Sequence, residues 1–400
     1  MFMAANRARS DPSTVKGAQS TIYPPQPPLV MHYDLERSSR FHATSLENGM
    51  APLMHPSPCM LRTDVGTSGC DGSPSCACST GQTCNSCGTC ANGTDPFVRI
   101  GYFYAPGGSG EVAAAGYSDP WGVMDGWVNE AAGMDGHRVI VDGGGYGLVG
   151  FGHAGGTSGA CWPTFDVGDF GSDKPTPPKI ASAAPKPISG PAGTFRVYAT
   201  WNDPAAGAPK DLSAVVDGKC MAMTKELGDP KRNATYYADV PLVAGCHSVY
   251  ALGHDSAAVR VTYPTTTAFT IPVGGGTCAD EQAQPAADCD PGSGGGGTGG
   301  GNSDGGSGDG GGGGGTGGSG GGGGGTGGGG GSGTGGNGSN DLGAADSVPR
   351  NAGNGSVSGC STVPGGSAPL GGLALFGLTL AALAWRGRQR RSIVAARRRR

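Results

Sequence analysis

The sequence predicts an α+β chain built in series. An amino-terminal domain comes first, then a small all-β Ig-like sandwich, a disordered Gly-rich stalk and a short C-terminal transmembrane helix. Three observations carry this. Apolar positions at helical spacing fall before residue 172, where the composition is mixed enough for one small α/β domain. Short alternating apolar runs fill residues 192–273, separated by Asp, Gly and Pro, as in a sandwich. Gly, Ser and Thr then dominate residues 274–357, ahead of an apolar run and an arginine cluster.

Taken in order, residues 3–18 read as an amphipathic helix. Tyr33 to Leu46 forms a second, with Leu35, Ser39, His42 and Leu46 along one face. Residues 58–94 hold Cys59, Cys70, Cys76, Cys78, Cys84, Cys87 and Cys90. The segment Gly110-Glu111-Val112 leads toward Asp119, a good N-cap ahead of Pro120 at the first helical position. Val123, Met124, Trp127 and Val128 make the stripe of that helix. Residues 173–191, rich in proline, read as a stiff linker. Strand-like runs at 195–199, 214–216, 236–238, 246–250 and 259–261 follow. Cys220 and Cys246 each border such a run and are expected to pair. The glycine-rich stretch is expected to be a flexible tether.

The chain has 400 residues, 82 of them Gly, and a net charge of -4. That charge gives no reason to expect nucleic acid as a partner. Its 13 cysteines suit an oxidising compartment. Eight precede residue 165; two pairs and the lone Cys360 follow. The spacing Cys84-x-x-Cys87-x-x-Cys90 also suits zinc or a cluster, but disulfides fit an exported chain better. The seven cysteines of 58–94 plus Cys161 make an even set, which implies one bridge from the insertion to the rest of its domain.

Residues 358–400 indicate location. Cys360 precedes an apolar run, Leu370–Trp385, of about 16 residues against the ~20 that span a bilayer. Arginines follow, ending in Arg397–Arg400, and the positive-inside rule leaves the rest of the chain outside. Gly359-Cys360-Ser361, the apolar run and the arginines together resemble the MYXO-CTERM sorting signal of myxobacteria. The resemblance implies export machinery and a sorting protease as partners, processing near Cys360 and display at the cell surface. A plain tail anchor is the alternative. Residues 1–20 lack an apolar signal-peptide core, so the recorded start is expected to lie downstream of a signal peptide.

Within residues 3–171, several motifs occur in one order: Asn6-Arg7-Ala8-Arg9, Phe41-His42-Ala43, His55, Gly110-Glu111, Trp127-Val128-Asn129-Glu130 and Gly136-His137-Arg138. Val149–Gly152 and Trp162–Phe165 look like closing strands. The series resembles the CAP superfamily, called SCP domains in bacteria. Val112, where that family has Asn, and the cysteine-rich insertion depart from it. The resemblance implies an α-β-α sandwich whose cavity is lined by His55, Glu111, Glu130 and His137. It also implies extracellular binding of a lipid, glycan or protein ligand without general catalysis. Two imidazoles and two carboxylates suit a divalent ion such as zinc, with His55 and His137 as ligands. They serve equally as a hydrogen-bonded polar cluster. The rival functions are a metal-dependent hydrolase of peptides or cell-wall material, and a structural coat protein. No activated serine, phosphate loop or HExxH helix is present.

Overall fold

The computed structural model describes residues 1–289 and 360–362, apart from 18–19, 81–83, 85–86, 89, 91–92, 106–108, 189–192 and 280. The first helix, α1 (Phe2–Ser10), is shorter than the helix expected over 3–18. Pro12 explains the stop, because proline disfavours helical backbone at the residue before it, and Asp11 is extended at φ -152°. Strand β1 (Val30–Met31) and helix α2 (Tyr33–Asn48) follow. The cysteine-rich insertion contains only the single turn α3 (Pro74–Ala77) among its described residues. Helix α4 (Pro96–Phe103) is capped by Asp95, whose carboxylate accepts from the amides of Phe97 and Val98. Strand β2 (Ser109–Ala115) leads to α5 (Pro120–Val128), where Asp119 caps the amides of Trp121 and Gly122 as its sequence predicts. Helix α6 (Gly136–Asp142) and strands β3 (Leu148–Gly155) and β4 (Thr164–Gly171) complete this half.

These strands form a sheet in the order β1-β3-β4-β2. One face carries Val112, Ala114, Val149 and Phe170 against α1, α5 and α6. The other lies against α2, and glycine makes this contact close. A Cβ on Gly150 would sit 1.9 Å from the Glu36 amide nitrogen, and one on Gly152 would sit 2.2 Å from that of Arg40. Ser39 ties the layers together, donating to the Gly150 carbonyl at 2.8 Å and accepting from the Asp169 amide at 3.0 Å.

Ten strands build the next part: β5 (Ile180–Pro187), β6 (Thr194–Trp201), β7 (Asp211–Val216), β8 (Lys219–Ala222), β9 (Thr224–Asp229), β10 (Asn233–Pro241), β11 (Gly245–His254), β12 (Arg260–Tyr263), β13 (Thr267–Val273) and β14 (Glu281–Ala283). They make two sheets, β5-β6-β10-β9 and β14-β13-β11-β7-β8, with β12 on β11. Ala199, Trp201 and Ala234 of one meet Leu212 and Ala251 of the other in a shared core. Strand β5 lies inside the proline-rich stretch of 173–191. It is an edge strand, where Pro185 and Pro187 can lack amide donors without breaking a ladder. A final strand, β15 (Cys360–Thr362), pairs antiparallel with β2 and extends the first sheet.

The fold expected from sequence needs correction. An α-β-α sandwich requires substantial helical layers, whereas the described chain is mostly strand, arranged in three sheets. Of the six helices only α2, at 16 residues, exceeds nine. Proline and glycine set these short lengths: α4 and α5 start at proline, and α2 and α6 end at Gly49 and Gly143.

Six disulfides close the described chain. Cys59–Cys78, Cys70–Cys76 and Cys84–Cys90 lie within the insertion, and Cys87–Cys161 ties it back to the first half. The expected Cys220–Cys246 bond is not formed: Cys220 bonds Cys289 and Cys246 bonds Cys278. Strand register is the reason. Cys220 pairs with Val215, and Val215 with Tyr250 across β7. Cys246 lies four residues before Tyr250 on β11, roughly 13 Å along the strand at ~3.3 Å per residue. That offset exceeds the reach of a disulfide. No described helix is long and apolar enough to cross a membrane, and the apolar run Leu370–Trp385 lies outside the described residues.

Candidate functional site

His55 follows α2 in a loop with no regular structure, so its position depends on side chains. Arg99, from the middle of α4, donates to the His55 carbonyl at 2.8 Å and to Ser57 Oγ at 3.2 Å. The same guanidinium forms an ion pair with Glu111 of β2. Glu111 Oε1 then meets His55 Nδ1 at 2.7 Å. Arg99 and Glu111 are wholly buried, and His55 is 7% exposed. The loop histidine and the strand glutamate are thus fixed by one arginine.

The second couple forms where α5 ends. Glu130 accepts from the amide nitrogens of His137 and Arg138 at 2.9 and 3.2 Å, capping the first turn of α6. Its other oxygen meets His137 Nδ1. The His137 ring stacks on Trp127, with centroids 6.2 Å apart, and is 1% exposed. Its Nε2 is buried and has no hydrogen-bond partner among the described residues. Arg138 of the same Gly-His-Arg run has a structural task, donating to the carbonyls of Pro12, Thr21 and Val128.

The two couples flank one strand. Glu111 and Ala113 point to the side of β2 turned toward α2, where Ala113 packs with Ala43 and Leu46. Trp127, under His137, packs with Val112 and Ala114 on the opposite side. Its indole Nε1 reaches the Ala113 carbonyl at 3.4 Å. The structure therefore assembles His55 with Glu111 and Glu130 with His137 as two couples beside β2. In each, the carboxylate engages Nδ1, which makes that nitrogen the donor and leaves Nε2 as the basic one.

Sequence reasoning missed two members. Arg99 is one; the other is Asp169, paired directly with Glu111 in the ladder of β2 and β4 and wholly buried. Burial and the neighbouring Glu111 charge raise the Asp169 carboxyl well above its ordinary range. Burial pushes Glu111 the same way, but Arg99 and the hydrogen bond from His55 overcome it and hold Glu111 well below. One arginine thus neutralises one carboxylate, and the second keeps its proton. A charged residue in an apolar run was the available signal, at Arg99 within Phe97-Val98-Arg99-Ile100 and at Asp169 before Phe170.

His42 is buried on α2 and meets the Met54 carbonyl through Nε2 at 3.0 Å. Burial and Arg99 push its pKa down to about 3, so it is neutral. His247 is mostly buried and bonded to Asp217 at 2.7 Å. Among the described residues, the groups of three or more metal-binding side chains are Cys70, Asp71 and Cys76, and Cys220, Asp288 and Cys289. Disulfides occupy the cysteines of both. Comparison of the chain with protein-family models and with curated proteins gives no match.

Proposed function

We propose that this is an exported, surface-displayed binding protein, whose ligand is a lipid, glycan or protein met outside the cell. The observation that carries the reading is the pair of carboxylate-held histidines, His55 with Glu111 and His137 with Glu130, on either side of one strand. Stability alone does not call for such groups, since buried polar networks of this kind gain little over apolar packing. Six disulfides suit the oxidising setting that export implies. Attachment through a processed Cys360 by a sorting protease, after export, completes the proposal. Catalysis in general is not part of it. The test is a lipid and glycan array probed with the whole protein. Binding that survives Glu111→Gln and His137→Ala would sink the site assignment.

A second reading, zinc-dependent hydrolysis, draws on one feature. Histidines that ligate metals nearly always give their other nitrogen to a carboxylate or carbonyl, and both His55 and His137 do so. Because the two couples lie on opposite sides of β2, each Nε2 would serve a separate ion, with Glu111 and Glu130 as orienting partners. Zinc is expected to raise the melting temperature of the protein by several degrees on this reading. His137→Ala reduces that shift, and an unchanged shift in the variant argues against the site.

A further inference from the structure

Strand β2 is buried along its whole length. One edge is paired to β4 and the other carries β15. In the antiparallel register of that second edge, Cys360 lies opposite Ala113, Ser361 opposite Val112 and Thr362 opposite Glu111. Glu111 is the carboxylate of the first couple. The Ala113 carbonyl receives the indole that underlies His137. The added strand therefore runs alongside the strand that separates the two couples.

We propose that the β2 edge is a strand-accepting groove whose occupant is the chain's own segment around Cys360. A bare sheet edge presents unpaired amides and carbonyls, which invites an extended segment to complete the ladder. Main-chain hydrogen bonds supply the affinity in such additions, so little side-chain information is needed. The Cys-Ser-Thr run of β15 fits that demand, with Thr favouring extended backbone. Reach is no obstacle, because the chain between Cys289 and Cys360 extends by ~3.3–3.6 Å per residue at full stretch. Docking within one molecule also occurs at high effective concentration, so three paired residues suffice. The consequence is a strap along the β2 edge, beside Glu111 of the first couple and the Ala113 carbonyl that holds the Trp127 indole under His137. Ligand and strap then compete, and on the surface-display reading, processing at Cys360 must lift the strap first. The docking itself stands on the register of β15 and does not require that reading.

The cysteine count provides a clean probe. Twelve of the 13 cysteines lie in the six disulfides, leaving Cys360 as the single thiol of the oxidised protein. The full chain is labelled with a maleimide under non-reducing conditions, alongside the variant Ser361→Pro/Thr362→Pro. Alternate amides of a strand face its neighbour, so two consecutive prolines remove whichever amide serves the ladder. Labelling of the variant is expected to be about tenfold faster or more, as for release of a locally protected segment. Equal rates overturn the proposal. The variant changes only the strap, and an unchanged melting temperature of the disulfide-closed core confirms that it is folded. In a second arm, a fluorescent peptide spanning residues 356–366, with Cys360→Ser, is added to both proteins. It is expected to bind the proline variant and to be excluded from the wild type. Failure to bind the variant, or equal binding to both, also overturns the groove.

Discussion

Asp169 and Glu111 are direct neighbours in the ladder of β4 and β2, and of the two only Glu111 pairs with Arg99, so their surroundings pull their protonation in opposite directions. Asp169 is raised by burial and by its neighbour's charge. An acid whose folded pKa is raised costs stability as pH climbs above its unfolded value near 3.8, until the folded pKa is reached. Asp169→Asn keeps the shape and removes this cost. The variant is expected to melt higher than wild type at pH 7 and equally at pH 3, as read by circular dichroism. Glu111 has the opposite sign: its depressed pKa contributes stability that is present above about 4.5 and lost as pH falls. Arg99→Met leaves that buried carboxylate with His55 but without its cationic partner, which costs about 3–5 kcal/mol. Denaturant unfolding at pH 7 checks this, and a loss below about 1 kcal/mol would mean that Arg99 is not the group holding Glu111.

At the scale of elements, the contact between α2 and β3 depends on what is missing from the strand. Gly150→Ala places a methyl 1.9 Å from the Glu36 amide nitrogen, and neither backbone can retreat without disturbing Ser39 and its two bonds. Overpacking of this kind costs about 1–3 kcal/mol. Gly101 of α4 is the matched control, since a Cβ there meets nothing within 4 Å. Gly101→Ala is expected to stabilise by about 0.5–1 kcal/mol through helix propensity. If thermal melts move both variants in the same direction, close approach is not what fixes α2. The same glycines explain part of what could be read from sequence. Asp119-Pro120 announced α5, and the face of Leu35, Ser39, His42 and Leu46 announced α2, because caps and periodicity are local signals. The strand content was harder to see: Val149–Gly152 read as a strand only through its place in a motif series, because Leu148–Gly155 alternates glycine with larger residues, and glycine reads as a breaker until a helix is known to rest on it. Residues 180–187 were hidden by their prolines, which only an edge position makes acceptable. The histidines and glutamates were legible as types and order. Arg99 and Asp169 stood out only as charges beside apolar residues, since their roles come from a strand pairing and a helix crossing that the local pattern does not specify.

Across the whole molecule, α1 belongs to both halves. Its Asn6 accepts from the Leu29 amide at 2.7 Å, donates to Ser182 Oγ of β5 at 3.2 Å, and through its main-chain carbonyl accepts from Asn233 Nδ2 of β10 at 2.9 Å. Ser10 Oγ meets Thr235 Oγ1 at 3.0 Å, and Arg7 pairs bidentately with Glu226 at 2.8 and 2.9 Å. Trp121 of α5 also packs on Tyr198 of β6, with ring centroids 5.2 Å apart. A spacer hung on a loose linker would share none of these buried bonds. The two halves should therefore unfold together, giving one calorimetric transition whose enthalpy matches its sharpness. Asn6→Leu tests the coupling where it is most concentrated. It is nearly the same size, but it leaves the buried Leu29 amide without its partner and removes the bond to Ser182, at about 1–3 kcal/mol for a buried group left unpaired. The expected result is a lower first transition, carrying the site, that separates from a second one belonging to the sandwich. The sandwich keeps its melting temperature because the Cys220–Cys289 and Cys246–Cys278 bonds close loops of 69 and 32 residues, each contributing about 4 kcal/mol in the chain-entropy account. Two transitions already resolved in the wild type would show that α1 does not bind the halves into one cooperative unit.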